Sequence, residues 1–299
     1  MRDRRFTQRS QVDATLTPLQ SRVAVRGIEI STREWPGDGR PFLLVHGLAS
    51  NARTWDGVAR CLNELGHRVV AIDQRGHGLS GKPDHGYGFD EVTADLHVLI
   101  ETLSLDRPLL VGQSWGGNVI LDYASRWPRT LSGLALVDGG FIELSAGSDA
   151  SWEKVAIDLR PPSLAGTPRN EIKERIASFH PEWDDEQLEM TLANFETLDD
   201  GTVRPWLTLE RHMEILRAIW DQKPSELYGR VEAPTLIAVA ESSRREANPR
   251  KREEVARAEQ GLTKVAVRWF TDTAHDIHVE KPRELADWIL AALAEGFFD

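Results

Sequence analysis

From residue 22 onward, short continuous apolar runs alternate with segments whose apolar positions recur at helical spacing. "SRVAV" and "IEISTRE" read as a strand pair turning at Gly27. "PFLLVHG", "HRVVAID", "RPLLVG" and "LSGLALVDGG" read as buried strands, because they are short and apolar without alternation. Between them, "TWDGVARCLNELG", "FDEVTADLHVLIETLSL" and "SWGGNVILDYASRWP" have helical spacing, with Gly66 and Pro128 as stops. This alternation predicts an α/β fold: a mostly parallel sheet with helices on both faces. After Gly140 the rhythm changes. Residues 141–226 contain no convincing strand, and "RNEIKERIASFH", "DDEQLEMTLANFETL" and "TLERHMEILRAIW" read as helices. Strands and helices alternate again in "APTLIAVAES", "KREEVARAEQG", "KVAVRWF" and "PRELADWILAALAEG". The pattern divides the chain into a tail (1–20), a core in two parts (21–140 and 227–299) and an inserted helical cap (141–226).

Composition narrows the function classes. The 299 residues are 40% apolar, enough for a sizeable core, and the net charge of −11 disfavours nucleic acid or an anionic membrane as main partner. The arginines of "MRDRRFTQRSQ" have no apolar stretch behind them, so the start reads as a solvated tail. No run approaches a membrane span, and the single cysteine, Cys61, reads as helix filler. A cytoplasmic location is the expectation. With no H-E-x-x-H, no cysteine cluster and no phosphate-loop pattern, neither metal nor cofactor is expected. Nothing in the sequence speaks to oligomeric state.

The chemistry is concentrated in "LLVGQSWGGNVI", where Gly112-Gln113-Ser114-Trp115-Gly116 fits G-x-S-x-G with a strand before and a helix after. A serine on so sharp a turn leaves no room for side chains two residues to either side, and the following helix aims its amino end at developing negative charge. Ser114 is the candidate nucleophile. It needs a base, a group that orients the base, and donors for an oxyanion.

Four segments together resemble the α/β-hydrolase superfamily, in a capped form. They are "LLVHGLASNARTWDGV", "AIDQRGHGLSGKP", "LLVGQSWGG" and "TAHDIHVEKPRELADWI", and the resemblance covers residues 21–140 and 227–299. It implies the α/β-hydrolase fold, with His275 as base. His46, His77 and Asp73 are implied to be scaffolding. His278 fits a supporting position, His85 lies in a polar loop, and His67, His97, His180 and His212 read as surface or packing residues. The implied oxyanion donors are the backbone N–H groups of Leu48 and Trp115.

The acid departs from the family pattern. Most members carry G-E-x-D after the strand corresponding to "PTLIAVA"; here the text is Ala240-Glu241-Ser242-Ser243, and Ser243 cannot stabilise an imidazolium by charge. Asp138, ending "LALVDGG", is the preferred replacement, since some relatives carry the acid at that strand end. Glu241 is its rival. Of the cap aromatics (Trp152, Trp183, Trp206, Trp220, Phe179, Phe195), most read as cap core; Leu48, Trp115 and Phe141 are the candidate substrate contacts. The expected activity is serine hydrolysis of small to medium carboxylic esters or lactones with an apolar acyl part. C–C bond hydrolysis of a diketone uses the same residues, and a non-catalytic ligand receptor is the alternative from another class.

Overall fold

Along Gly39–Val45 (β3), Phe42 and Leu44 face one layer of the core while Leu43 and Val45 face the other. A strand buried on both faces must be apolar throughout, which is why its text shows no alternation. The same division recurs along His67–Ile72 (β4), Leu109–Gln113 (β5) and Gly133–Val137 (β6). The computed structural model describes residues 17–147, 149–242 and 249–299. The predicted tail up to residue 16 and Ser243 lie outside the described residues.

Leu19–Val25 (β1) and Ile28–Trp35 (β2) form the expected antiparallel pair. Adding Thr235–Glu241 and Val265–Thr271, which become β10 and β11 once the cap strands are counted, gives eight strands in the order β1-β2-β4-β3-β5-β6-β10-β11. From β4 to β11 every pairing is parallel. Helices Asp56–Asn63 (α1) and Pro282–Ala294 (α10) cover one face, and Phe89–Thr102 (α2) and Trp115–Arg126 (α3) cover the other.

The segment from Phe141 to Glu226 holds Trp152–Asp158 (α4), Arg169–Phe179 (α5), Asp185–Leu192 (α6) and Leu209–Asp221 (α7). It is not free of strands. Thr167–Pro168 (β7), Phe195–Thr197 (β8) and Thr202–Pro205 (β9) make a small antiparallel sheet in the order β7-β9-β8. The run "DDEQLEMTLANFETL" therefore stops being helical at Leu192. Its last residues pair with β9 around a turn whose Gly201 sits at φ +80° and whose Leu198 carbonyl accepts the Gly201 N–H at 2.9 Å. Strands of two to four residues are shorter than a period-two pattern can declare. Helix α7 seats Ile215 and Ile219 in the core on the α2–α3 side. Pro249–Gly261 (α8) and Ile277–Glu280 (α9) complete the fold. Among the described residues no helix is long and apolar enough to cross a membrane.

Candidate active site

The turn from β5 into α3 is shaped by contacts that admit only glycine. A Cβ on Gly112 would meet the Gly116 carbonyl oxygen at 2.4 Å, and one on Gly116 would meet the Val45 carbonyl oxygen at 2.3 Å. Between them Ser114 is held at φ 53°, ψ −123°, a left-handed backbone that a non-glycine residue adopts only when its surroundings enforce it. Its N–H donates to the Val137 carbonyl at 3.0 Å, tying the turn to the end of β6. A Cβ on Gly139 would lie 2.1 Å from the Ser114 carbonyl oxygen, so the chain leaving β6 also passes against the serine.

Asp138, directly after β6, is a second left-handed residue at φ 45°. Its N–H donates to Ala238 at 2.7 Å, which fixes it to the neighbouring strand β10. One carboxylate oxygen, Oδ2, accepts the His275 Nδ1–H at 2.7 Å. The other, Oδ1, accepts the Ala240 N–H at 3.0 Å and lies 2.6 Å from the Lys251 ammonium, which also donates to the Ala240 carbonyl at 2.7 Å. His275 is held to the serine's neighbour as well: Gln113 Nε2 donates to the His275 carbonyl at 3.3 Å. Ser114, His275 and Asp138 are thus gathered at one edge of the sheet, at the carboxyl ends of β5, β11 and β6. The rival acid Glu241 is elsewhere; it is about a third exposed and pairs with Arg252.

A model of the alpha/beta hydrolase family matches this chain over residues 42–288. The chain belongs to the alpha/beta hydrolase family. A non-heme haloperoxidase from Rhodococcus erythropolis is 31% identical over 133 residues, 44% of this chain and 48% of that protein. A 2-hydroxy-6-oxo-2,4-heptadienoate hydrolase from Pseudomonas putida is 37% identical over 136 residues, 44% of this chain and 49% of that one. The chain covers about half the length of these sequence relatives. Among solved structures, E-2-(acetamidomethylene)succinate hydrolase superposes with a TM-score of 0.77 at 22% identity, over 93% of this chain and 99% of the other, and shares the fold.

Three charges set the electrostatics of this alpha/beta hydrolase's site. Burial would push the His275 imidazole down, but the bond and charge of Asp138, with Asp276 behind, outweigh burial and the opposing Lys251 cation, so its pKa is raised. Burial would likewise raise Asp138, yet His275 and Lys251 hold its carboxyl below the usual range. Asp276 is pushed up, first by burial and then by the negative charge of Glu280. Among the described residues His278 has no hydrogen-bond partner on either ring nitrogen; burial first, then the charges of His275 and His46, take it down to about 3, and it packs on Trp55 at 4.5 Å as a neutral ring.

His77 and His46 hold the backbone around the loop that carries Leu48. His77 Nε2 accepts the Ala49 N–H at 3.2 Å, and its ring stacks on Trp115 at 5.6 Å between centroids. His46 Nε2 accepts the Gln74 N–H at 3.0 Å. Asp73 accepts the Ala52 and Leu79 N–H groups at 2.8 and 2.9 Å, joining the loop to the "RGHG" turn. The Leu48 and Trp115 N–H groups have no protein acceptor among the described residues. Phe141 is 3% exposed and packs in the core. A large cavity, about 680 Å³, lies between the core and the cap. It is bounded by Ala49, Ser50 and His77 on the core side and by Phe195, Trp206 and Leu207 on the cap side. None of Leu48, Trp115 and Phe141 lines it. Among the other aromatics, Trp183 joins a small core with Leu188 and Val279, Trp152 and Trp220 lie 6.3 Å apart, and Phe179 is exposed.

Four supporting residues escape a reading of the sequence. Lys251 sits among several basic residues of "PRKREEVAR" with nothing to set it apart. Gln113 bonds the His275 loop, and Asn118 pins the chain leaving β6 by accepting the Gly140 N–H at 2.8 Å and donating to Ile142 at 2.9 Å. Glu280 accepts the Ala274 N–H at 2.8 Å and so braces the same loop; its place in "HVEKP" was the available signal. Glu280 also joins His180 and Glu182 in a group whose ligand atoms lie within 4.8 Å of one another, the spacing a metal ion could use. No step at Ser114 calls on that group.

Proposed function

We propose that the protein is a serine hydrolase that cleaves small to medium carboxylic esters or lactones through an acyl-enzyme. The observation that carries this reading is the 2.7 Å hydrogen bond from the exposed His275 to the buried Asp138, next to a serine held in a strained strand-to-helix turn. With its Nδ1–H donated to Asp138, the imidazole keeps Nε2 free for the Ser114 proton. Ser114 Oγ attacks the carbonyl carbon, and the oxyanion accepts hydrogen bonds from the Leu48 and Trp115 N–H groups at the amino end of α3. The imidazolium, stabilised by Asp138, gives its proton to the leaving alcohol. Water activated by His275 then releases the acid and regenerates the serine.

The similarity to a heptadienoate hydrolase favours one second reading, C–C bond hydrolysis of a diketone-type substrate by the same three residues. A non-catalytic receptor on this fold would have no use for an activated serine. A fluorophosphonate probe separates these classes. Rapid stoichiometric labelling at Ser114, lost in Ser114→Ala, supports the hydrolase reading; labelling no faster than that of a surface serine overturns it. Turnover of p-nitrophenyl esters against a diketone acid then ranks the two chemistries.

A further inference from the structure

The cavity between core and cap differs in charge from the rest of the molecule. The chain carries a net charge of −11, yet Lys82, Arg160, Arg204 and Arg211 line this cavity against one carboxylate, Glu196. Glu196 is already engaged by Arg204. Arg211 spends its guanidinium on the Lys82 and Pro83 carbonyls at 3.0 Å and on exposed Asp84 at 3.5 Å. Lys82 is the interior cation. Its ammonium donates to the Gly78 and Ser80 carbonyls at 2.7 and 2.9 Å and lies 4.7 Å from the Trp206 ring centre, with no carboxylate partner among the described residues. The Arg160 side chain, at the cap side, likewise has no partner among them. Histidines do not add to the charge, since burial pushes His77 and His212 down and keeps them neutral.

Asp73 and Glu196 act on the Lys82 ammonium only through space, without a direct ion pair among the described residues, and a partly buried ammonium gains from an anionic group that reaches it. The remaining walls, including Leu164, Phe195, Pro205 and Leu207, suit an apolar body. His77 belongs both to this wall and to the packing of Trp115, so the cavity and the nucleophile's turn share one partition. We infer that the cavity selects substrates carrying a carboxylate at the end remote from the scissile bond, with Lys82 as the anchor and Arg160 closing over it. The apolar acyl part expected from sequence then becomes the spacer between two polar ends.

The inference rests on the serine-hydrolase reading for where the second end of the substrate lies, and its test separates the two. In the turnover arm, monoethyl adipate and ethyl hexanoate are compared, since they differ by one terminal carboxylate. Wild-type protein should favour monoethyl adipate by about tenfold or more in kcat/KM, the worth of a charge-assisted contact. Lys82→Met should bring that ratio close to one, and Arg160→Gln, at an exposed position, should lower it several-fold. In the binding arm, adipate is titrated into Ser114→Ala protein while tryptophan fluorescence is followed, with Trp206→Phe in the same background to assign the signal. Saturable quenching that weakens with salt and disappears in Lys82→Met supports the site even if Ser114 proves unreactive. A wild-type preference below twofold overturns the proposal, as does a preference that survives Lys82→Met, or adipate binding that does not depend on Trp206 and Lys82.

Discussion

Replacing Asp138 by asparagine tests the site through its hydrogen-bond geometry rather than through charge alone. Asparagine tolerates the left-handed backbone at φ 45°, so the turn after β6 should survive. Its amide, however, has one acceptor and one donor end, whereas the carboxylate accepts on both sides. The Ala240 N–H at 3.0 Å and the Lys251 ammonium at 2.6 Å both point donors at the Oδ1 position. The asparagine carbonyl must face them, which leaves its NH₂ facing His275 Nδ1. That nitrogen must then be the acceptor, and the proton moves to Nε2, the atom that has to be empty to take the serine proton. The same tautomer change in a serine protease cost about 10⁴ in kcat, roughly 5.5 kcal/mol. We expect Asp138→Asn to lose between about 10² and 10⁴ in kcat on p-nitrophenyl butyrate, with the midpoint of thermal unfolding little changed. Nitrogen-15 spectra of the histidines should show the His275 proton on Nε2 in place of Nδ1. A variant that folds, keeps the proton on Nδ1 and loses less than about tenfold would refute this account of the acid.

Other perturbations probe neighbouring parts of the same structure. Ser114→Ala and His275→Ala should each abolish most turnover, and the double variant should lose little more, because members of one catalytic unit are not additive; additive losses would separate them. Since the His275 pKa is raised and the base must be neutral, kcat/KM should fall on acidification through a pKa above the ordinary histidine value. Lys251→Met removes a cation that opposes His275 protonation, so that acidic limb should move to higher pH; movement to lower pH would contradict the assigned contact. Asp95→Asn breaks the buried two-point pair with Arg75, at 2.6 and 2.9 Å, that holds the "RGHG" turn. It should cost about 3–5 kcal/mol of unfolding free energy in a urea titration, and a loss below about 1 kcal/mol would show that the pair is replaceable.

The parts of this molecule that could be read from the sequence are those where chemistry and packing admit one residue type. Gly112 and Gly116 are legible because each must pass within van der Waals contact of a carbonyl oxygen, so the turn around Ser114 announces itself in the text. The β-strands of the core are legible because burial on both faces removes every polar position. The pairing of β6 with β10 sets Asp138 and Glu241 apart: register places Val137 beside Ala238, so Asp138 reaches the Ala240 N–H while Glu241 points to Arg252. That is a fact of tertiary alignment, and the sequence offered both residues. The cap hairpin was hidden differently. Phe195–Thr197 follows a helical run without a break, and only the Asp199-Asp200-Gly201 turn marks its end. Lys251 was unreadable because its partner stands 113 positions earlier and a lysine on a charged helix is ordinarily solvated.

The order of the strands has a consequence for how this protein loses activity. Ser114 and Asp138 stand at the ends of β5 and β6, interior strands paired on both sides, whereas His275 follows β11, the edge strand, which is bonded to β10 alone. Edge elements open with smaller free energies than the whole molecule and exchange their amide protons sooner. On the proposed assignment, fraying of that edge carries His275 away while Ser114 and Asp138 remain in register. Inactivation in mild denaturant should therefore precede the collapse of the far-ultraviolet signal and be reversed by simple dilution, so that catalysis reports on one strand's attachment rather than on the fold.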